Sequence, residues 1–180
     1  MDLQSINKPV HIAGYEIPFW NLLLIIGGAV AFISMFMNWI KIEISYWGYT
    51  VSESVNAFDL LTGDGLSFIK IFPFLIGIAG LLAAASVIVP MFVEGFDHIA
   101  VMVGAGVTVL AVLLGLWFLI SGTGTGLYSD PSYVSGDMIK GAFGLYLGLL
   151  ASIVAAVGGV MRFMENKSGL ALPSSSDSDI

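Results

Sequence analysis

Four long stretches of this chain carry no Asp, Glu, Lys, Arg or His: Leu22–Ile40, Ile71–Val89, Ile99–Ile120 and Ala142–Met161. A helix needs about 20 apolar residues to cross a hydrocarbon core of about 30 Å, and each stretch has roughly that length. One such run fits the buried helix of a soluble protein. Four within 180 residues leave too little polar chain to cover them. Composition agrees, with 57% hydrophobic and 11% charged residues and a mean hydropathy of +0.94. A soluble domain carries about 25% charged residues. These figures argue against a soluble enzyme, and the net charge of −7 argues against a nucleic-acid partner. With no cysteine there is no disulfide, thiolate metal site or nucleophilic thiol. The expected fold class is an all-α integral membrane protein, a four transmembrane helix bundle with a small extracellular β-hairpin cap. The bundle domain is expected over residues 1–164, with a polar, Ser-rich and disordered tail over 165–180.

Aromatic residues mark the expected span ends. Trp20 and Trp39 bracket the first run at a separation of about 28 Å along a helix, the distance between two bilayer interfaces. Trp117 falls near the end of the third run. Pro73 sits in the first turn of the second and Pro90 closes it. Ala29-Val30-Ala31 has the form of a processing site, but the apolar run continues to Ile40, so an uncleaved anchor is expected. An even number of spans puts both termini on one side. Lys8, Arg162 and Lys167 flank that side and Lys41, Lys70 and Lys140 the other, so the positive-inside rule does not decide. The longer loops, 41–70 and 121–141, are expected outside the cell membrane, with both termini cytoplasmic.

The first long loop has a strand pattern. Ile40, Ile42, Ile44 and Tyr46 alternate with Lys41, Glu43, Ser45 and Trp47, and Tyr49-Thr50-Val51-Ser52 alternates again. Gly48 between them suits the first central position of a type II′ hairpin turn. An isolated hairpin is marginal in water, so it should rest on the helix ends or pair with the other loop near Tyr133-Val134. Asn56–Leu61 reads as a short helical turn ended by Thr62-Gly63-Asp64-Gly65. Four spans, a strand-bearing first loop, Trp39 and the later Trp47-Gly48 pair resemble the claudin and peripheral myelin protein superfamily. That family carries Gly-Leu-Trp and two cysteines, where this chain has Trp-Gly-Tyr and none. The stretch Trp39…Gly48…Ser54…Phe58-Asp59-Leu60…Gly63-Asp64-Gly65 also resembles prokaryotic four-span proteins with no assigned activity. What the resemblance implies is an architecture, not a barrier or channel function.

Inside the spans the clearest pattern is small residues at four-residue spacing: Gly144, Gly148, Ser152 and Ala156 in the fourth, with Ala151, Ala155 and Gly159 alongside. Ala100, Gly104 and Thr108, then Gly80 and Ala84, then Gly27 and Ala31 repeat it in the third, second and first. Helices in lipid associate by close backbone approach, so these faces mark where helices touch, either within one bundle or against a second copy or partner subunit. Ion-coupled carriers place ionisable groups at membrane depth, which these spans do not. Glu94, Asp97, His98 and His11 could share one membrane face but need convergence to hold a metal. Glu43, Glu53, Asp59, Asp64, Asp130 and Asp137 make the other face acidic. Gly122–Gly126 lacks the lysine and helix N-terminus of a phosphate loop. Ser178-Asp179-Ile180 matches the ending read by PDZ domains, and Asn166-Lys167-Ser168 is a glycosylation sequon usable only by an exterior tail.

The function expected from sequence is non-enzymatic, with no cofactor and no metal: lateral protein contacts in the membrane, as an accessory subunit or self-associating structural protein. The expected partners are membrane lipids and a second copy or partner membrane subunit. Gly144, Gly148, Ser152 and Ala156 are the expected helix-docking residues, and Trp47, Gly48 and Tyr49 the exterior recognition residues. An oligomeric channel or small-molecule carrier is the alternative. A lipid-acting enzyme built on Glu94, Asp97 and His98 ranks third.

Overall fold

The computed structural model describes residues 8–12, 15–47, 49–63, 68–93, 95–121 and 138–170. Strands β1 (Val10–Ile12) and β2 (Tyr15–Ile17) form a small antiparallel hairpin that leads into helix α1 (Phe19–Ser34). Strands β3 (Asn38–Tyr46) and β4 (Tyr49–Asn56) follow, then the short helix α2 (Ala57–Thr62). Helices α3 (Phe72–Ile88) and α4 (Asp97–Ser121), strand β5 (Ile139–Gly141) and helix α5 (Phe143–Leu170) complete the order. A 3₁₀ turn at Phe68–Ile71 runs directly into α3. Among the described residues three helical segments are long and apolar enough to cross a membrane: Phe68–Met91, Asp97–Ser121 and Phe143–Lys167. The fourth apolar helix, Phe19–Ser34, is shorter.

Each long helix packs on two neighbours, in the cyclic order α1, α3, α4, α5. Two glycine doublets show how the corners are made. A Cβ on Gly27 would lie 2.7 Å from the Ala155 backbone nitrogen in α5, and one on Gly80 would lie 2.6 Å from the Gly28 carbonyl oxygen. Adjacent residues of a helix point about 100° apart, so Gly27-Gly28 lets α1 meet α5 on one side and α3 on the other. Gly158-Gly159 does the same for α5, with Gly158 against Trp20 and Leu23 of α1 and Gly159 against Thr108 and Ala105 of α4. The buried hydroxyls are satisfied within their own helices. Ser34, Ser86, Thr108 and Ser152 donate to Ala31, Ala83, Gly104 and Gly148 carbonyls at 2.7–2.8 Å.

One end of the bundle is closed by a three-stranded sheet in the order β4-β3-β5, all antiparallel. The fold is therefore helical with a real β element, rather than all-α with one hairpin. β3 takes its third strand at Ile139–Gly141; Tyr133-Val134 lie outside the described residues. Asn56 starts α2 by accepting from the backbone N–H groups of Phe58 and Asp59 at 2.8 and 3.0 Å, as a helix N-cap does. Backbone bonds pin the sheet to the bundle: Ala57 N–H donates to Met35 O at 3.2 Å and Ala142 N–H to Trp39 O at 2.9 Å.

The first apolar run does not form one helix to Ile40. α1 ends at Ser34 and Asn38–Ile40 are already strand. The cause is Trp39. It is fully buried instead of sitting at an interface, and its ring Nε1–H donates to the Ser34 carbonyl at 2.7 Å. That carbonyl is among the last four of the helix, which no i+4 N–H reaches; it also accepts from the Met37 N–H at 3.0 Å. Trp20 is buried too, so this pair is not an aromatic belt, whereas Trp117 is exposed. Around Trp39 gather Met35, Ile40, Leu60, Phe72, Phe118 and Leu145, with Phe118 edge-on at 5.7 Å. At the other extreme α5 runs on to Leu170, so residues 165–170 belong to the helix and not to the polar tail expected there. Residues 171–180 lie outside the described ones.

Candidate functional site: the sheet cap and the terminal end of the bundle

The cap has one apolar and one polar face. Residues opposite each other on antiparallel strands share a face, so Ile40/Val55, Ile42/Glu53 and Ile44/Val51 line up on one side, with Tyr49 two residues from Val51 on the same strand. At the base this side covers the core, with Ile40 buried and Ile42 half-buried. Towards the tip it emerges. Ile44 is 48%, Val51 68% and Tyr49 79% exposed, and Trp47 in the turn is 86% exposed. The register Tyr46↔Tyr49 puts Trp47 in the turn. The positive φ of 50° falls on Trp47, in the region hairpin turns require and bulky residues avoid. Gly48 itself lies outside the described residues.

The polar side carries an ion cluster. Glu43 accepts from Lys140 Nζ of β5 at 2.5 Å and pairs with Lys41 Nζ at 2.8 Å. The Lys140 bond first, then Lys41, lowers the Glu43 carboxyl from its ordinary 4.5 to about 2. This ties β5, which lies in the loop 121–141 expected to pair with the hairpin, to β3; all three residues are visible in the sequence as flanking charges, but not as one site. Lys70 donates to the Gly63 carbonyl at 2.7 Å and closes the base of the cap.

The four helix-docking residues are placed differently from one another. Gly144, Gly148 and Ser152 are buried inside the chain. A Cβ on Gly144 would lie 2.7 Å from the Asn38 carbonyl, and one on Gly148 2.6 Å from Ser34 Oγ and 2.9 Å from the Trp39 ring. Gly144 and Gly148 therefore set α5 against β3 and the end of α1 of the same chain, and the close approach they allow is already used there. Ala156 alone lines an outward hollow, with Val112, Ile153, Val157, Val160 and Met161. Gly28 and Gly158, which sequence reading passed over, carry the same role as Gly27 and Gly159. The doublets themselves were the signal.

At the opposite end α4 begins beside the last turns of α5. Arg162 Nη1 donates to the Ser86 carbonyl at 3.1 Å, supplying a donor to the C-terminal turn of α3, and Asp97 is near enough to interact with its charge. Asn166 Nδ2 lies 3.4 Å from His98 Nδ1. Asn166 of the sequon thus sits on a helix facing His98, not on a free tail. His11 meets Glu16 at 3.6 Å in the exposed β1–β2 hairpin. Among the described residues no three His, Asp or Glu side chains converge on one point. Glu94, Asp64, Asp130, Asp137, Gly122–Gly126 and Ser178–Ile180 lie outside the described residues. No protein-family model matches this chain, and no curated protein matches it.

Proposed function

We propose that the chain is a four-span membrane protein whose sheet cap recognises a partner protein outside the hydrocarbon layer. α1 is the span in question, since its 16 residues cover only about 24 Å. Backbone bonds from Met35 to Phe32 O, Phe36 to Ile33 O and Met37 to Ser34 O continue the coil with 3₁₀ spacing to Met37. At about 2 Å per residue this adds about 6 Å and brings α1 to about the 30 Å a bilayer core demands. Four spans put both chain ends on one side, read here as the cytoplasmic side of the cell membrane, and the cap on the other. The architecture is that of the claudin-like tetraspans, without their cysteines.

The observation that carries the recognition reading is the apolar tip. A sheet face that is sealed at Ile40 emerges at Ile44, Val51 and Tyr49 and ends in Trp47. Tyr and Trp in an exposed apolar patch are the residue types that anchor protein interfaces. The protein then acts as an accessory subunit or a self-associating structural element. An oligomeric channel or carrier has less support, because the buried hydroxyls of the spans bond carbonyls of their own helices.

The test is the double variant Trp47→Ser, Tyr49→Ser, solubilised in mild detergent. The assembly found for the unaltered protein by light scattering should fall apart, while helical circular dichroism stays unchanged. An assembly of the same mass in the variant refutes recognition through the tip.

A further inference from the structure

We propose that the outer seam between α4 and α5 is a binding site for one anionic phospholipid, its headgroup held by Lys167 and His98 and one acyl chain lying along the seam. The proposal rests on the membrane-spanning reading above and goes beyond it by naming a ligand class and a place. Two hollows lie on this seam. One, of about 350 Å³, is lined by Val112 of α4 and by Ile153, Ala156, Val157, Val160 and Met161 of α5. The other, of about 230 Å³, is lined by His98 and Met102 of α4 and Phe163, Asn166 and Lys167 of α5.

Helix geometry joins the two hollows. Ala156, Val160, Phe163 and Lys167 follow each other at spacings of four, three and four, which is one stripe of α5. His98, Met102, Ala105, Val109 and Val112 form the facing stripe of α4 by the same rule. From Ile153 to Lys167 the stripe runs about 21 Å, more than the roughly 15 Å of one hydrocarbon leaflet. A chain lying in it therefore reaches from the midplane to the headgroup level.

The two ends differ in chemistry as a phospholipid does. The inner hollow has only apolar side chains. The outer one holds the Lys167 ammonium, the Asn166 amide and the His98 ring. With Nδ1 accepting from Asn166 Nδ2, the imidazole proton is assigned to Nε2, a second donor for a phosphate oxygen. Lys167 is the cation among the residues that line the mouth. The contrast between a charged mouth and a wholly apolar interior is what selects a phospholipid over a second helix, which would meet Lys167 with an apolar face.

The experiment reconstitutes the full chain into vesicles of equal phosphatidylcholine and phosphatidylglycerol, re-extracts it in mild detergent and counts retained lipids by native mass spectrometry. Phosphatidylglycerol should be retained over phosphatidylcholine. Lys167→Gln should lower that preference about fivefold, the worth of one lysine beside an anionic surface. Val157→Trp, which fills the seam, should abolish retention of both lipids. Leu110→Trp, on an exposed part of α4 outside both hollows, should change nothing; helical circular dichroism checks each variant's fold. Equal retention of the two lipids by the unaltered protein overturns the site, as does an unchanged preference in Lys167→Gln or equal losses in Val157→Trp and Leu110→Trp. A chain that stays outside the vesicles overturns the membrane-spanning reading itself, a different result.

Discussion

The bundle and its cap are held together by opposite means. In the bundle the contact residues are small: Gly27, Gly28, Gly80, Ala155, Gly158 and Gly159 bring backbones together until an added Cβ would meet a backbone atom or a neighbouring side chain. Lipid tails are as apolar as the helices, so burying a large side chain gains little there and close packing carries the association. Where the cap meets the bundle the contact residues are large: Trp39, Ile40 and Leu60 of the cap fill a single cluster with Phe72, Phe118 and Leu145 of α3, α4 and α5. A core facing water is stabilised by removing apolar area, roughly 1.5–3 kcal/mol for each large side chain. The same chain therefore loses stability when atoms are removed from one region and when atoms are added to the other.

The sharpest way to break this contrast is Trp39→Ala. It empties the centre of the cap cluster and leaves the Ser34 carbonyl without its Nε1 donor. The expected cost is about 3–5 kcal/mol, read as a lowered thermal midpoint of the detergent-solubilised protein. A loss under about 1 kcal/mol means that the cap is not a water-driven core.

Gly80→Leu makes the converse test in the bundle. Its Cβ would lie 2.6 Å from the Gly28 carbonyl and 2.8 Å from the Ala31 Cβ, so α1 and α3 must separate. About 3 kcal/mol is expected, at the upper end for overpacking because the obstacle is backbone. Gly148→Leu should behave alike, since it meets Ser34 and Trp39 of its own chain. If Gly148→Leu instead left the thermal midpoint intact and altered only the assembly mass, the stripe would face a second copy after all.

These contacts also explain what was legible beforehand. The long apolar helices were readable because apolar runs are long and local. The β3–β4 hairpin was readable because its alternation is local, and Asn56 because an N-cap acts within three residues. Trp39 was misread because a tryptophan at the end of an apolar run looks the same whether it faces an interface or plugs the core. Only the strand that carries it distinguishes the two. The partner loop of β3 was legible, but not the place of β5 within it at Ile139–Gly141 nor the role of Lys140, because that register depends on how the chain closes and not on any local pattern. Gly144 and Gly148 meet Asn38, Ser34 and Trp39 of the same chain, and residue size alone says nothing about which element comes to a small-residue face.

Asn56→Ala should cost about 1 kcal/mol, the usual worth of an N-cap, because Phe58 and Asp59 lose their acceptor at the start of α2. The effect belongs to the cap alone. Hydrogen exchange should rise at the first turn of α2, at Phe58 and Asp59, and stay unchanged in α3 and α5. Faster exchange throughout the bundle would show that cap and bundle unfold as one unit, and the two regions would then not be separable.

The smallest effect is a pH dependence confined to the polar side of the sheet. Glu43 has a folded pKa of about 2 against an ordinary 4.5, lowered by Lys140 first and Lys41 second. A depressed carboxyl stabilises the fold fully above its unfolded pKa and loses that contribution as pH falls through the folded one. The β3–β5 junction should therefore be insensitive to pH above about 4.5 and weaken between there and about 2. The group is solvent-exposed, so the change should be small and should shrink further in high salt, unlike the effects of Trp39 or Gly80. Following the Lys140 and Ile139 amide signals through an acid titration measures it directly, and Glu43→Gln should flatten the curve. A curve that persists in Glu43→Gln assigns the acid sensitivity to another carboxylate. A midpoint above pH 5 would likewise show that the Lys140–Glu43–Lys41 cluster does not hold the third strand in place.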